Sequence, residues 1–73
     1  MSNLPIISRG YEMKVRDAIK RIEADGWRIK RTRGDHRVYV HAVKRGIVVI
    51  PGHHGADLAA GTLSSILKQA GLK

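Results

Sequence analysis

Histidine has an ordinary pKa of about 6.5, which suits both taking and giving a proton near neutral pH. His36 is set among cations: Arg28, Lys30, Arg31, Arg33 and Arg37 all fall within the stretch Arg28–His41. Cleaving an RNA chain without a metal requires a base for the 2′-hydroxyl proton and positive charge to steady the extra negative charge that develops on phosphorus. In that reading His36 is the base. Arg33 and Arg37 hold the phosphate and favour the neutral imidazole, while Lys30 and Arg28 extend the track along the RNA backbone. On position alone, a histidine beside a turn reads first as an ordinary polar turn residue, ahead of a catalytic one. The clustered charge, which points to a nucleic-acid partner, is the stronger of the two signals.

Other chemistries are poorly served. The four histidines, His36, His41, His53 and His54, contain no His-Glu-x-x-His pair, and the chain has no cysteine. A zinc site would need histidines from three separate loops to converge, so neither a metal nor another cofactor is expected. His53 and His54 are expected to shape the loop before the last helix, or to offer a hydrogen bond to a phosphate near its N-terminus. Trp27 reads as a core anchor rather than a stacking platform for bases, because the chain has no phenylalanine and few other large side chains.

The elements that must hold these residues follow from periodicity. Val15, Ala18, Ile19 and Ile22 recur at i, i+3, i+4 and i+7, giving an amphipathic helix that Asp25-Gly26 terminates. Trp27 to Arg33 reads as a strand with Trp27 and Ile29 on one face. Gly34-Asp35 fits a tight hairpin turn of type II′, and His36 to His41 returns as a strand with Val38 and Val40 opposed to Arg37, Tyr39 and His41. On this phase the valines, with Trp27 and Ile29, are the inward residues. Ile47 to Ile50 is a third, β-branched strand stopped by Pro51. Leu63, Ile66, Leu67 and Ala70 repeat the helical stripe, and Gly71-Leu72 has the form of a C-terminal cap; the helix start lies either near Asp57 or near Gly61-Thr62. The order helix, strand, strand, strand, helix predicts an α+β fold: a two-layer sandwich with a three-stranded antiparallel sheet and two helices on one face. Residues 1–12 read as an irregular N-terminal arm and residues 13–73 as a single domain.

Composition sets the outer limits. A chain of 73 residues supports one modest core rather than a deep walled cleft. Fourteen Lys and Arg against six Asp and Glu give a net charge of +8, a density that attracts anions over long range. A membrane surface would want a basic amphipathic helix with aromatics on its apolar face, and the only aromatics are Tyr11, Trp27 and Tyr39. The absence of cysteine fits a reducing compartment, and with no long apolar run or charged-then-apolar leader the expected location is the cytoplasm.

Several strings together carry a family likeness. Met13-Lys14-Val15-Arg16, Asp25-Gly26-Trp27, Arg33-Gly34-Asp35-His36-Arg37, Val49-Ile50-Pro51-Gly52-His53 and the run from Gly61-Thr62-Leu63 to Ala70-Gly71-Leu72 resemble the HicA family of toxins over Met13–Leu72. The resemblance implies a double-stranded-RNA-binding-domain-like fold, mRNA-cleaving endoribonuclease activity with the histidine of the Gly-x-His turn, His36, as the catalytic residue, and inhibition by a HicB-type antitoxin. Many members carry serine before that histidine and a second histidine after it; here Asp35 and Arg37 occupy those places. Asp35 either orients the imidazole or caps the turn, and its own turn preference favours the cap. The alternative to an enzyme is a non-catalytic module that grips double-stranded RNA by shape.

Overall fold

The computed structural model describes residues 13–73; the N-terminal arm expected over residues 1–12 lies outside the described residues. The chain runs β1 (Met13–Lys14), α1 (Val15–Ala24), β2 (Trp27–Arg33), β3 (His36–His41), β4 (Val48–Ile50), β5 (Asp57–Leu58) and α2 (Ala60–Gln69). Strands β2, β3 and β4 form an antiparallel sheet in that order, and β1 pairs with β5 in a separate two-stranded ribbon. The expected α+β sandwich is present, with the ribbon as an addition that two-residue strands are too short to announce in a sequence.

Both helices cover the same face of the sheet. The stripe Val15, Ala18, Ile19 and Ile22 of α1 is buried as its spacing requires, and it meets Ile66 and Ala70 of α2 over Trp27, Tyr39, Val48 and Ile50. Each helix stops where a glycine can take a left-handed conformation. At the end of α2, Gly71 has φ +74, its N–H donates to the Lys68 carbonyl, and the Leu72 N–H reaches back to the Leu67 carbonyl at 2.8 Å. This is the Schellman arrangement, with Leu72 packed against the core. Helix α2 begins at Ala60, later than an Asp57 cap would place it, because Asp57 is engaged in β5 and its carboxylate pairs with Lys14 at 2.7 Å.

The phase of β3 differs from the expectation. Tyr39 is buried at 2% exposure and faces the helices, whereas Val38 and Val40 are only half-buried on the other side of the sheet. The physical reason is size: the space under two short helices needs a large ring, and Tyr39 fills it beside Trp27 where a valine would leave a void. Ile29 also departs from the expected core role. It lies in register with Tyr39, yet it is 50% exposed because the helices leave that margin of the sheet uncovered. Further along β2 the register shifts between Ile29 and Arg31, so Lys30 is the extra residue of a bulge.

Candidate functional site

The hairpin that carries the candidate residues turns at Gly34-Asp35. Gly34 has φ +60, and no described residue other than glycine has a positive φ, as a type II′ turn demands. His36 is the first residue after the turn and is exposed, and its Nδ1 lies 3.1 Å from Asp35 Oδ1. The Asp35 carboxylate thus lies beside the imidazole, where it can act on its charge. Either ring nitrogen of a neutral imidazole can accept a proton, according to its tautomer.

Register decides which cations accompany His36. Arg33 is its direct cross-strand partner, and Arg31 pairs with Val38; residues paired in this way share a face of the sheet. The open face away from the helices thus carries Arg28, Arg31, Arg33 and His36, with Val38, Val40 and Val49 between them. Arg37, one residue on, points to the helix side. Its Nη1 donates to the Gly52 carbonyl at 2.6 Å and its Nη2 to His54 Nδ1 at 3.4 Å. Arg28 is held at the far end of β2, where its guanidinium donates to the carbonyls of Trp27 at 2.9 Å and Glu23 at 3.3 Å. These contacts tie Arg28 to the negative end of α1, roughly 16 Å along the strand from Arg33 at the usual rise per residue. Of the four cations expected to bind nucleic acid, Arg33 adjoins His36, Lys30 sits on the bulge, Arg28 starts from the far end of the same face with its guanidinium on two carbonyls, and Arg37 serves the helix side.

The remaining histidines have separate places. His41 is a structural residue: its Nδ1 accepts the N–H groups of Val43 and Lys44, each at 3.0 Å, while Nε2 donates to the Asp25 carbonyl at 2.7 Å. Its ring also meets Trp27 edge-on, with centroids 5.2 Å apart. Lys44 completes this junction by bonding the Asp25 carboxylate and, at 3.0 Å, the Ala70 carbonyl. The Lys44 ammonium holds the Asp25 carboxyl below its ordinary pKa, against a smaller opposing effect of burial. The loop carrying His53 and His54 packs on the start of α1 and not on α2: the carbonyls of Ala56 and His54 accept the N–H groups of Val15 and Arg16. Those first-turn donators are thereby satisfied without a side-chain cap. Among the described residues no group of three or more His, Cys, Asp or Glu could hold a metal ion.

A family model described as the HicA toxin of bacterial toxin-antitoxin matches residues 15–72, most of the chain. The chain belongs to the HicA toxin family. It is therefore a toxin of a toxin–antitoxin system, and an antitoxin is the class of partner its family implies. A comparison with curated proteins returned no match. The α+β architecture of this HicA family member agrees with the double-stranded-RNA-binding-domain-like fold of the family, and among the described residues no helix is long and apolar enough to cross a membrane.

Of two features of this HicA toxin, the first was already implied by strand alternation and the second was not legible in its sequence. Adjacent residues of a strand point to opposite faces, so His36 and Arg37 could not share a site once both lay in β3. The position of Arg37 against Gly52 and His54 depends on a contact across 15 residues that no local pattern encodes.

Proposed function

We propose that this toxin is a metal-independent endoribonuclease that cleaves mRNA, with His36 as its base, and that a HicB-type antitoxin inhibits it in the cytoplasm. The observation that carries the reading is the exposed His36 imidazole, 3.1 Å from the Asp35 carboxylate and placed in register with Arg33 on an open, cationic sheet face. An RNA strand lying on that face has its phosphates attracted by Arg33 and Arg31. Nε2 of His36 takes the proton of a 2′-hydroxyl, the 2′-oxygen attacks the adjacent phosphorus, and the 5′-oxygen departs and takes up a proton. The products are a 2′,3′-cyclic phosphate and a free 5′-hydroxyl. Arg33, paired across the hairpin, offsets the charge that grows on the phosphoryl oxygens. The shallow geometry suits a polymer held by its backbone better than a small molecule held in a pocket.

Purified His36→Ala, with an unchanged circular-dichroism spectrum, is expected to lose cleavage of an RNA substrate in the presence of a chelator. Cleavage at the wild-type rate by that variant would overturn the assignment. The double-stranded-RNA-binding-like architecture also favours a second reading, a module that grips duplex RNA without cutting it. Both readings predict binding that weakens with salt; new RNA ends in the chelated reaction distinguish the enzyme from the module.

A further inference from the structure

An open groove of about 390 Å³ lies on the helix side of the hairpin. Ile19 and Ile29 supply apolar surface to its walls, Arg16, Lys20 and Arg37 supply a cationic rim beside the His54 ring, and Glu23 is the single acid. Tyr39 also lines it: the residue is 2% exposed, and its hydroxyl has no hydrogen-bond partner among the described residues. Glu23 and Arg37 both act on that phenol, the first raising and the second lowering its pKa, which burial pushes upward. The two opposite charges therefore act on one phenol. Arg37 is also preorganised, because Nη1 is anchored on the Gly52 carbonyl and the guanidinium plane is fixed.

We propose that this groove is a nucleotide subsite for the RNA strand: a phosphate rests on Arg37 and Arg16, and the attached base lies against Ile19 and Ile29 with its amino edge toward Glu23. The inference rests on the ribonuclease reading for its substrate class and adds a second site and a base preference to it. The size of the groove suits one nucleotide. Its charge is divided as a nucleotide's is, with cations at one end for phosphate and a carboxylate near the base, where it accepts from an exocyclic amine. An acidic side chain, the other anion available, has no N–H to give the Glu23 carboxylate, whereas a base's exocyclic amine does. The site is reachable from His36 because β4 ends at Ile50, opposite Arg37, and leaves His36 without a β4 neighbour. A strand can pass around that corner from the open face to the groove.

The test follows NMR shifts of the full chain carrying His36→Ala while CMP, UMP, cytidine and inorganic phosphate are added in separate titrations. CMP is expected to move the Ile19 and Ile29 methyl signals together with Tyr39 and Arg37, phosphate alone to move Arg37, and UMP to bind more weakly because its carbonyl replaces the amine. Glu23→Gln should erase the preference for CMP over UMP, and Ile29→Thr should weaken CMP by about fivefold. Both positions are exposed, so these variants test the site even if Arg37→Gln loosens the loop it anchors. CMP shifts confined to Arg33 and His36, or a groove that takes an acidic peptide and ignores CMP, would overturn the subsite. Its failure is separable from that of the ribonuclease reading. A silent groove with cleavage abolished by His36→Ala sinks only the subsite, and CMP in the groove with cleavage surviving His36→Ala sinks only the catalytic assignment.

Discussion

Replacing Asp35 by asparagine keeps the size of the side chain and removes the charge that faces His36. At 3.1 Å, Coulomb attraction between a carboxylate and an imidazolium is about 1.3 kcal/mol in bulk water and about 20-fold larger at the dry-interior limit. Which limit applies is decided by exposure: the His36 and Asp35 side chains are 57% and 67% accessible. Such a pair is screened, and its net value falls to about 0.2–1 kcal/mol. The imidazolium forms only after the base has taken its proton, so this energy is felt in the transition state, where it corresponds to a rate effect of about 1.4- to 5-fold. Asp35→Asn is thus expected to slow cleavage of a fluorogenic RNA oligonucleotide by no more than about fivefold, with a small change in KM. His36→Ala, which removes the base, should cost on the order of 10²-fold or more. A loss in Asp35→Asn as large as that in His36→Ala would refute the reasoning. It would mean that the carboxylate acts from a water-excluded site, or takes the proton itself.

Two further expectations concern the scaffold. Tyr39→Ala should cost about 3–5 kcal/mol in urea unfolding, a large share of the stability of a domain this small, whereas Val40→Thr on the opposite face should cost less than about 1 kcal/mol; the reverse order would contradict the phase of β3. The Asp25 carboxyl is held below its ordinary pKa chiefly by Lys44. Its contribution is therefore fully present above the unfolded-state value near 4 and is lost as pH falls through the lower folded value. In Lys44→Met, thermal melts between pH 2 and 5 should show a smaller loss of stability on acidification than the wild type; an equal loss would show that the pair is not what acid disrupts.

Several elements were legible because each is encoded by neighbours in the chain. Val15, Ala18, Ile19 and Ile22 mark α1 by spacing alone, and Gly34-Asp35 specifies its turn by the φ that glycine permits. The start of α2 was ambiguous because Asp57, a residue with capping preference, had a competing use in a strand pair with Lys14. The face of β3 was ambiguous for another reason. Val38, Tyr39 and Val40 all favour strands and all carry apolar surface, so alternation fixes the period without fixing which face is inward.

The sequence by itself determined the family, the order of the main elements, the cationic character of the hairpin and the identity of the histidine at its turn. All of these are properties of residue type at short spacing. Tertiary structure alone decided which cations stand with that histidine. Strand pairing put Arg33 across from His36 and turned Arg37 to the other face. The bulge at Lys30 changed the phase of β2, the end of α1 claimed Arg28, and the Gly52 carbonyl fixed Arg37 beside the groove. A guanidinium on a long, flexible stem goes where a carbonyl or a phosphate meets it, and that partner is set by the fold, not by the arginine's neighbours in sequence.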